Sequence, residues 1–485
     1  MIGKIRNIIL LILVIITGLQ TGKGQSNTMY YMYGVPQSHF LNPATQPQCR
    51  IYIGLPVTSS MEFSYYNSSV GMEDVIWYDS DDGIVKHPLY SDADLEEFLS
   101  NFKKANYLSF TNSISLISFG FGIQDMYLNL DLTSKMNERL IYPRDLLVLA
   151  LEGNTDGQSF DLSTFSVDVS EHLELGIGFS KKFGDQVTVG IRPKILFGLA
   201  AMNTTNREFT INTGLREWEV VSDMEVNICT PGLNIPTDDE GVIDFDGDFD
   251  ADSTLDSFSD YRKLATGNMG LGIDIGAHYR PIEQVEVSLS FIDIGYIKWK
   301  NYTHTAVLDG TFLFEGYEEN NVGDSIDYLD YVLDSLKSSF RITGSGKEFR
   351  TTLSPKLFIG GRYFITPGLD VGALARFDFI EKNVDFSTLL MANWRPSTVF
   401  GISLSYGLFD GSPTSFGLGW TLRLGPFSTY FIFDNIPTSY NVIDDVPVPI
   451  GFRGFTYRYG INLVFGCNQY KRLRRDKPMY YSEEY

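Results

Sequence analysis

The sequence predicts an all-β protein, a transmembrane antiparallel β-barrel of about 14 strands with 16 as the alternative. Apolar residues recur at every second position in many segments. Short turns alternate with long connections along the chain. After residue 25 no apolar stretch reaches the roughly 18 residues of a membrane helix. The 14% aromatic residues and 45 glycines agree with β structure.

The first 24 residues have the form of a secretory signal peptide. Lys4 and Arg6 precede an apolar run over 8–16, which is followed by small and polar residues before Gln25. A membrane anchor, the alternative, would need about 20 apolar residues. We therefore expect export, with the mature chain beginning near Gln25 and residing in the outer membrane of a Gram-negative cell.

The alternation distinguishes two faces in each predicted strand. In 171–180, 271–280, 369–379 and 457–466 one face is apolar, whereas the other carries Gly, Ser and single charges of both signs. A soluble sandwich also alternates, but its strands are usually about 5 or 6 residues long and its exposed face favours Lys, Glu and Thr. Longer strands whose apolar face ends in Tyr, Trp or Phe indicate contact with lipid.

Turn lengths give the orientation, because outer-membrane barrels have short periplasmic turns and long outer loops. Short turns are predicted at 183–185, 281–283, 366–368, 395–397 and 425–426. The outer connections are then 67–106, 135–157, 230–266, 301–350 and 435–452. The choice between the two strand counts depends on whether 206–228 forms a hairpin in the wall. Short helices are expected in the outer loops over 92–104, 143–151 and 325–336, where amphipathic patterns occur.

The outer loops carry the acidic charge. Residues 238–260 contain ten acids and no Lys or Arg. Their alternating aspartates resemble the start of a calcium loop, although Phe249 and Leu255 replace its Gly and closing Glu. A weak calcium site and a solvated acidic loop are both open, and no other cofactor is expected. The candidate ligands are Asp244, Asp246, Asp248 and Asp250.

The two ends of the barrel are predicted to meet. Cys49 precedes the first strand and Cys467 follows the last, so closure would bring them together for a disulfide. Residues 467–485 are predicted to form a basic periplasmic tail, for which anionic lipid head groups, peptidoglycan and an acidic partner are the expected contacts. The domain organisation is thus a leader over 1–24, an N-terminal segment over 25–48, a barrel over 49–466 and this tail.

Several segments together resemble outer-membrane barrel families of Bacteroidota that are related to FadL-like transport barrels and to type IX secretion-associated barrels. The resemblance rests on residues 41–44 (LNPA), 53–56 (IGLP), 150–154 (ALEGN), 293–299 (DIGYIKW) and 458–466 (RYGINLVFG). In FadL-like barrels an Asn-Pro-Ala segment belongs to a hatch inside the lumen. The resemblance therefore implies that role for Asn42, Pro43 and Ala44.

The inward faces suggest what the barrel does. If the charged residues predicted on these inward faces line an open path, the lumen would tolerate anions. Alternatively, the same residues form a ladder of salt bridges that braces a plugged barrel. The residues predicted to face the lumen are Arg192, Lys194, Asp274, His278, Arg280, Arg376, Asp378, Arg423 and Arg458.

Two functions from different classes remain open. One is a porin-like or FadL-like channel for small hydrophobic or anionic solutes. The other is a non-conducting scaffold or accessory barrel in a cell-surface or type IX secretion complex. Catalysis is not expected, because the five histidines are dispersed and no nucleophile motif occurs. The net charge of −22 makes nucleic acid an unlikely partner, so membrane lipid and surface proteins are the expected ones.

Overall fold

The computed structural model describes most of the chain. The predicted leader, the aspartates of the candidate calcium site, the helix expected over 325–336 and the tail after Cys467 lie outside the described residues. The described ranges are 27–79, 84–88, 90, 93–153, 156–214, 217–230, 266–314, 341–343, 347–380, 383–409, 412–436, 439–443, 446–450 and 453–467.

Nearly all regular structure in these ranges is β. Three short helices are α1 (Met72–Val75), α2 (Leu95–Ser100) and α3 (Arg144–Leu151). The strands are β1 (Cys49–Gly54), β2 (Met61–Asn67), β3 (Trp77–Asp79), β4 (Ile84–Lys86), β5 (Ala105–Ile123), β6 (Met126–Pro143), β7 (Gln158–Asp161), β8 (Ser166–Phe183), β9 (Val187–Thr213), β10 (Trp218–Cys229), β11 (Met269–Ile282), β12 (Val285–Trp299), β13 (Thr303–Phe314), β14 (Arg341–Thr343), β15 (Phe349–Thr352), β16 (Lys356–Thr366), β17 (Leu369–Ile380), β18 (Asn383–Trp394), β19 (Phe400–Phe409), β20 (Ser412–Leu424), β21 (Phe427–Ile436), β22 (Ser439–Ile443), β23 (Val446–Ile450) and β24 (Gly454–Cys467).

The described strands close into a 14-strand antiparallel barrel, which confirms the predicted fold class. β1 and β2 lie in line and share the first position, and both pair with β24 on one side and β5 on the other. Closure leaves the wall without a free edge. The wall continues from β5 through β6, β8, β9, β11, β12, β16, β17, β18, β19, β20 and β21 to β24.

The two faces of the wall are inverted relative to a soluble protein. Outward apolar side chains remain uncovered, with Leu271 58% and Leu424 62% exposed, whereas the inward Asp274 and Ser290 are 0% and 1% exposed. An apolar exterior around a polar interior is the pattern of strands that cross a membrane. In the described part of the chain, none of the helices has the length and apolarity needed to span a bilayer.

One group of strands rises above the wall. β9 has 27 residues, whereas a tilted strand needs only about 9–11 to cross a bilayer. Its first half pairs with β11 in the wall, and its second half pairs with β10, which also pairs with β13. The 206–228 hairpin therefore exists but lies outside the closed wall, because β11 occupies the wall position beside β9. For this reason the barrel has 14 strands and not 16.

The outer loops differ from the prediction in two respects. The connection expected over 135–157 begins later, because β6 continues to Pro143 and pairs with β5 and β8 along its length. The helix expected over 92–104 is shorter, since Asp94 caps it and it ends at Ser100. α2 and α3 pack together through a cluster of buried apolar residues that comprises Val70, Leu99, Phe102, Val148, Phe160 and Leu162.

Candidate functional site: a lumen filled by the N-terminal segment

Residues 27–48, called the plug below, lie inside the barrel. They form two 3-10 turns, Thr28–Tyr31 and Pro36–Phe40, joined by irregular backbone. Polar plug residues are as deeply buried as apolar ones, since Gln37, His39 and Asn42 are each 0% exposed. Buried polar groups of this kind need partners, and the wall supplies them.

Small inward residues make room for the plug. A Cβ atom added to Gly190 on β9 would overlap the backbone of Pro43, and one added to Gly276 on β11 would overlap Asn42. Gly360 on β16 lies in the same way against the Tyr31 hydroxyl. These three glycines are therefore positions where the backbone of the wall approaches the plug.

An apolar centre holds the first half of the plug. Tyr30 stacks on Phe358 of β16 with the ring centroids 5.3 Å apart. The Tyr31 hydroxyl lies 2.6 Å from the Ser288 hydroxyl of β12. Met29 and Tyr30 are 0% and 2% exposed. Burial of such side chains stabilises by roughly 1.5–3 kcal/mol each, so this half contributes much of the plug's affinity for the lumen.

Polar contacts attach the plug to strands around the whole wall. Gln37 Nε2 donates to Asn462 Oδ1 of β24 at 2.7 Å. His39 Nε2 lies 2.8 Å from Asp131 Oδ2 of β6. Further contacts, each to a different strand, join Thr28 to Ser405 at 2.6 Å, Arg376 to Asn27 at 3.0 Å and Thr45 to His278 at 3.0 Å.

Beside the plug lies a layer of buried charges, called the charge layer below. Arg192 Nη1 is 2.7 Å from Glu174 Oε1 and 3.1 Å from Asp274 Oδ2. Lys194 Nζ lies 2.6 Å from Asp274 Oδ1 and 2.7 Å from Asp293 Oδ1. The Arg192 guanidinium also covers the Phe40 ring of the plug at 5.1 Å. The layer therefore joins four strands to one another and to the plug.

The charge layer is electrically balanced. Lys135 lies 2.8 Å from Glu174 and Lys356 lies 2.7 Å from Asp293. Within the described residues its members are four cations, Arg192, Lys194, Lys135 and Lys356, and four carboxylates, Asp131, Glu174, Asp274 and Asp293. Buried charges are tolerated when they are paired and hydrogen-bonded in this way.

Smaller ion pairs brace other parts of the interior. Glu286 accepts from Arg362 at 2.7 Å, pairs with Arg280 and lies 3.4 Å from His278. His278 thus connects this cluster to Thr45 of the plug, which gives it a place in the contact between plug and wall. Elsewhere Arg376 pairs with Asp378, Arg395 with Asp370, and Arg458 with Glu62.

Most residues predicted to face the lumen are buried there. Arg192, Lys194, Asp274, Arg376, Asp378 and Arg458 are all at most 6% exposed. His278, Arg280 and Arg423 are only partly buried, and Arg423 Nη1 lies 3.9 Å from Cys49 Sγ.

The expectation of an anion-tolerant open path does not fit this arrangement. The sequence-based set of inward residues omitted Glu174, Asp131, Asp293 and Glu286, which cancel its excess of cations. The two-residue alternation could have identified Glu174 as inward-facing, since Glu174 lies between the outward Leu173 and Leu175. The ladder of paired charges beside a plug is what the structure contains.

Asn42, Pro43 and Ala44, the predicted hatch residues, lie in the plug, and all three are buried. Asn42 Nδ2 donates to the Tyr30 hydroxyl at 3.0 Å, and Asn42 Oδ1 accepts from the Ala44 amide at 3.0 Å. Asn42 thus fixes the turn that presses Pro43 against β9. No local pattern in residues 27–40 predicted that the plug is buried, because 3-10 turns are too short to show a hydrophobic period.

Cys49 and Cys467 are joined by a disulfide at the seam between β1 and β24. The bond lies directly after the plug, so it fixes the point where the plug meets the wall. In the ranges that the structure describes, no group of three or more His, Cys, Asp or Glu residues could hold a metal ion.

A model described as a family of unknown function, DUF5723, matches residues 43–434. No curated protein matches the sequence.

Several solved barrels align over nearly the whole chain at low identity. The toluene transporter TbuX of Ralstonia pickettii has 8% identity and a TM-score of 0.41, covering 92% of this chain and 97% of its own. The Pseudomonas putida toluene transporter TodX has 7% identity and a TM-score of 0.39, with 92% and 98% covered. A Pseudomonas aeruginosa FadL homologue has 10% identity and a TM-score of 0.40, with 92% and 100% covered.

Proposed function

The chain belongs to the family of unknown function DUF5723, and from its geometry we propose that it is a gated outer-membrane channel, porin-like or FadL-like, for small solutes. The closed strand barrel supports a location in the outer membrane. Of the hydrophobic and anionic solutes that the sequence suggests, we favour hydrophobic ones. A charge layer with equal numbers of cations and carboxylates attracts neither sign of ion.

The observation that carries this proposal is how the plug is held. Its described backbone hydrogen bonds close within the segment, for example from Tyr30 N to Asn27 O and from Thr45 N to Asn42 O. Its contacts with the wall are made almost wholly by side chains. The plug can therefore leave as a unit without breaking the hydrogen-bond ladder of the barrel.

The wall keeps its own structure when the plug moves. Arg192, Lys194 and their carboxylate partners all belong to wall strands, so the charge layer stays paired. The surface that the plug uncovers includes Gly190, Gly276 and Ser288, which are small or polar. The uncovered surface also includes the apolar Phe358 and Ile432 of the wall, so it is a mixed surface whose small and polar positions can be wetted.

The test compares passage through three forms of the purified protein in liposomes. In the first form residues 27–45 are deleted. In the second, Thr28→Cys and Ser405→Cys, which replace two hydroxyls 2.6 Å apart, are oxidised to lock the plug to β19, in a Cys49→Ser/Cys467→Ser background. The third is that same background alone. We expect deletion to raise the release of a small trapped dye at least tenfold, locking to abolish passage of a small hydrophobic solute, and the background to conduct like the wild type.

Heat-modifiable migration on a gel would show that each variant is folded. Equal passage through the locked and unlocked proteins would refute gating by the plug. A folded deletion variant that remained sealed would refute the channel.

A scaffold is the second candidate function, and the fully packed plug favours it. A barrel that stays sealed after the deletion and co-purifies with surface or secretion-complex proteins would support this role.

A further inference from the structure

The outward face of the barrel carries two neighbouring cations at its outer end. Lys298 of β12 and Arg350 of β15 are direct cross-strand partners. Both are exposed. Their neighbours Ile297 and Trp299 are fully buried in the interior, at 0% exposure each, which fixes the Lys298 side chain on the lipid side of the strand. We call Lys298 and Arg350 the cation pair.

Their height on the barrel corresponds to the lipid headgroups. Tyr296, two residues below Lys298, pairs across the strands with Leu271, which is 58% exposed on the lipid face. Tyrosines at the end of an apolar face mark the membrane interface. Two residues advance a strand by about 7 Å, which is close to the thickness of one headgroup layer, roughly 5–8 Å.

The cation pair would be stabilised by a bound anion. Like charges directly opposite each other on neighbouring strands are destabilising. Both cations nevertheless converge on one ring, with Arg350 at 3.7 Å and Lys298 at 5.8 Å from the Tyr296 centroid. In the part of the chain that the structure describes, no carboxylate forms a salt bridge with either cation.

Other exposed cations at this end behave differently. Arg207 pairs with Asp223, Lys347 with Glu225 and Lys300 with Glu348. The chain as a whole has 60 acidic residues against 38 Lys and Arg. In so acidic a protein, two adjacent cations that have no acidic partner among the described residues point to an anion supplied from outside the chain.

We propose that the cation pair binds the phosphate of an anionic lipid headgroup in the outer leaflet, with Tyr296 supporting both cations. The side chains lie on the lipid face at headgroup height, where a lipid phosphate is held at high local concentration and a soluble anion is not. This inference goes beyond the channel proposal and does not depend on it.

The experiment uses the full chain in nanodiscs and measures retained phosphatidylglycerol and phosphatidylcholine by native mass spectrometry. We expect the wild type to retain phosphatidylglycerol preferentially. Lys298→Gln/Arg350→Gln should reduce that preference about 30-fold, which corresponds to about 2 kcal/mol, or about 1 kcal/mol for each cation.

The matched control is Arg207→Gln/Lys347→Gln, which removes the same charge from pairs that already have acidic partners. It should retain the wild-type preference. An equal loss in both double variants would overturn the proposal, since net charge alone would then explain binding. Displacement of the lipid by millimolar inorganic phosphate would also overturn it in favour of a soluble anion. All four residues are exposed, so folding is not at risk.

Discussion

Replacement of Arg192 by Met should be among the most damaging single changes in the wall. Arg192 is 1% exposed and contacts Glu174 at 2.7 Å, Asp274 at 3.1 Å and Asp131 at 3.8 Å. Without it, the charge layer has one carboxylate more than its cations. Removal of one partner from a buried ion pair costs about 3–5 kcal/mol, because the remaining charge is left uncompensated. We expect the free energy of unfolding to fall by about that amount.

The measurement is urea-induced unfolding in lipid vesicles, followed by tryptophan fluorescence and heat-modifiable gel migration. Arg207→Met is the matched control, because Arg207 is 55% exposed in its pair with Asp223 and such pairs contribute about 0–1 kcal/mol. Adding Glu174→Gln to Arg192→Met restores the charge balance and should recover part of the loss. If Arg192→Met were no more damaging than Arg207→Met, or if the second substitution deepened the loss, the assignment of a balanced charge layer would be wrong.

Other features give further expectations. Gly190→Val should expel the plug and increase dye release from liposomes, whereas the outward change Ala277→Val at a neighbouring position should not; unchanged release in both would contradict the close approach of plug and wall. Cys467→Ser should lower the free energy of unfolding by about 2–4 kcal/mol, seen as a lower urea midpoint, and an unchanged midpoint would count against a stabilising seam bond. In the outer loops, hydrogen bonds from Lys104 and then from Ser163 lower the pKa of Asp161 from 3.8 to about 2. Because the pKa is lowered, this contact stabilises the loop above about pH 4 and is lost as the pH falls through about 2. Carboxyl NMR titration should show the pKa rising in Lys104→Gln, and no change would exclude the contact.

Local patterns in the sequence are sufficient for the wall. The two-residue period depends only on successive side chains pointing to opposite faces, so it can be read one strand at a time. The alternating segments 369–379 and 457–466 therefore agree closely with β17 (Leu369–Ile380) and β24 (Gly454–Cys467). Apolar residues on one face and short turns between consecutive strands also predict a closed antiparallel wall. Prediction failed over 135–143 because polar residues in β6 beyond the membrane resemble a loop.

What the interior contains was decided only by the tertiary structure. The plug has no periodic signal, and its burial depends on Gly190 and Gly276, which lie more than a hundred residues away along the chain. The partners of Arg192 come from β6, β8 and β11, so the balance of charge depends on which strands become neighbours in the wall. The sequence by itself determined that the chain forms a membrane barrel, since the alternation within each strand shows one face suited to lipid and one suited to a polar interior. Contacts between segments that are distant along the chain decide whether that barrel is filled and by which residues. No pattern within a single segment predicts such contacts.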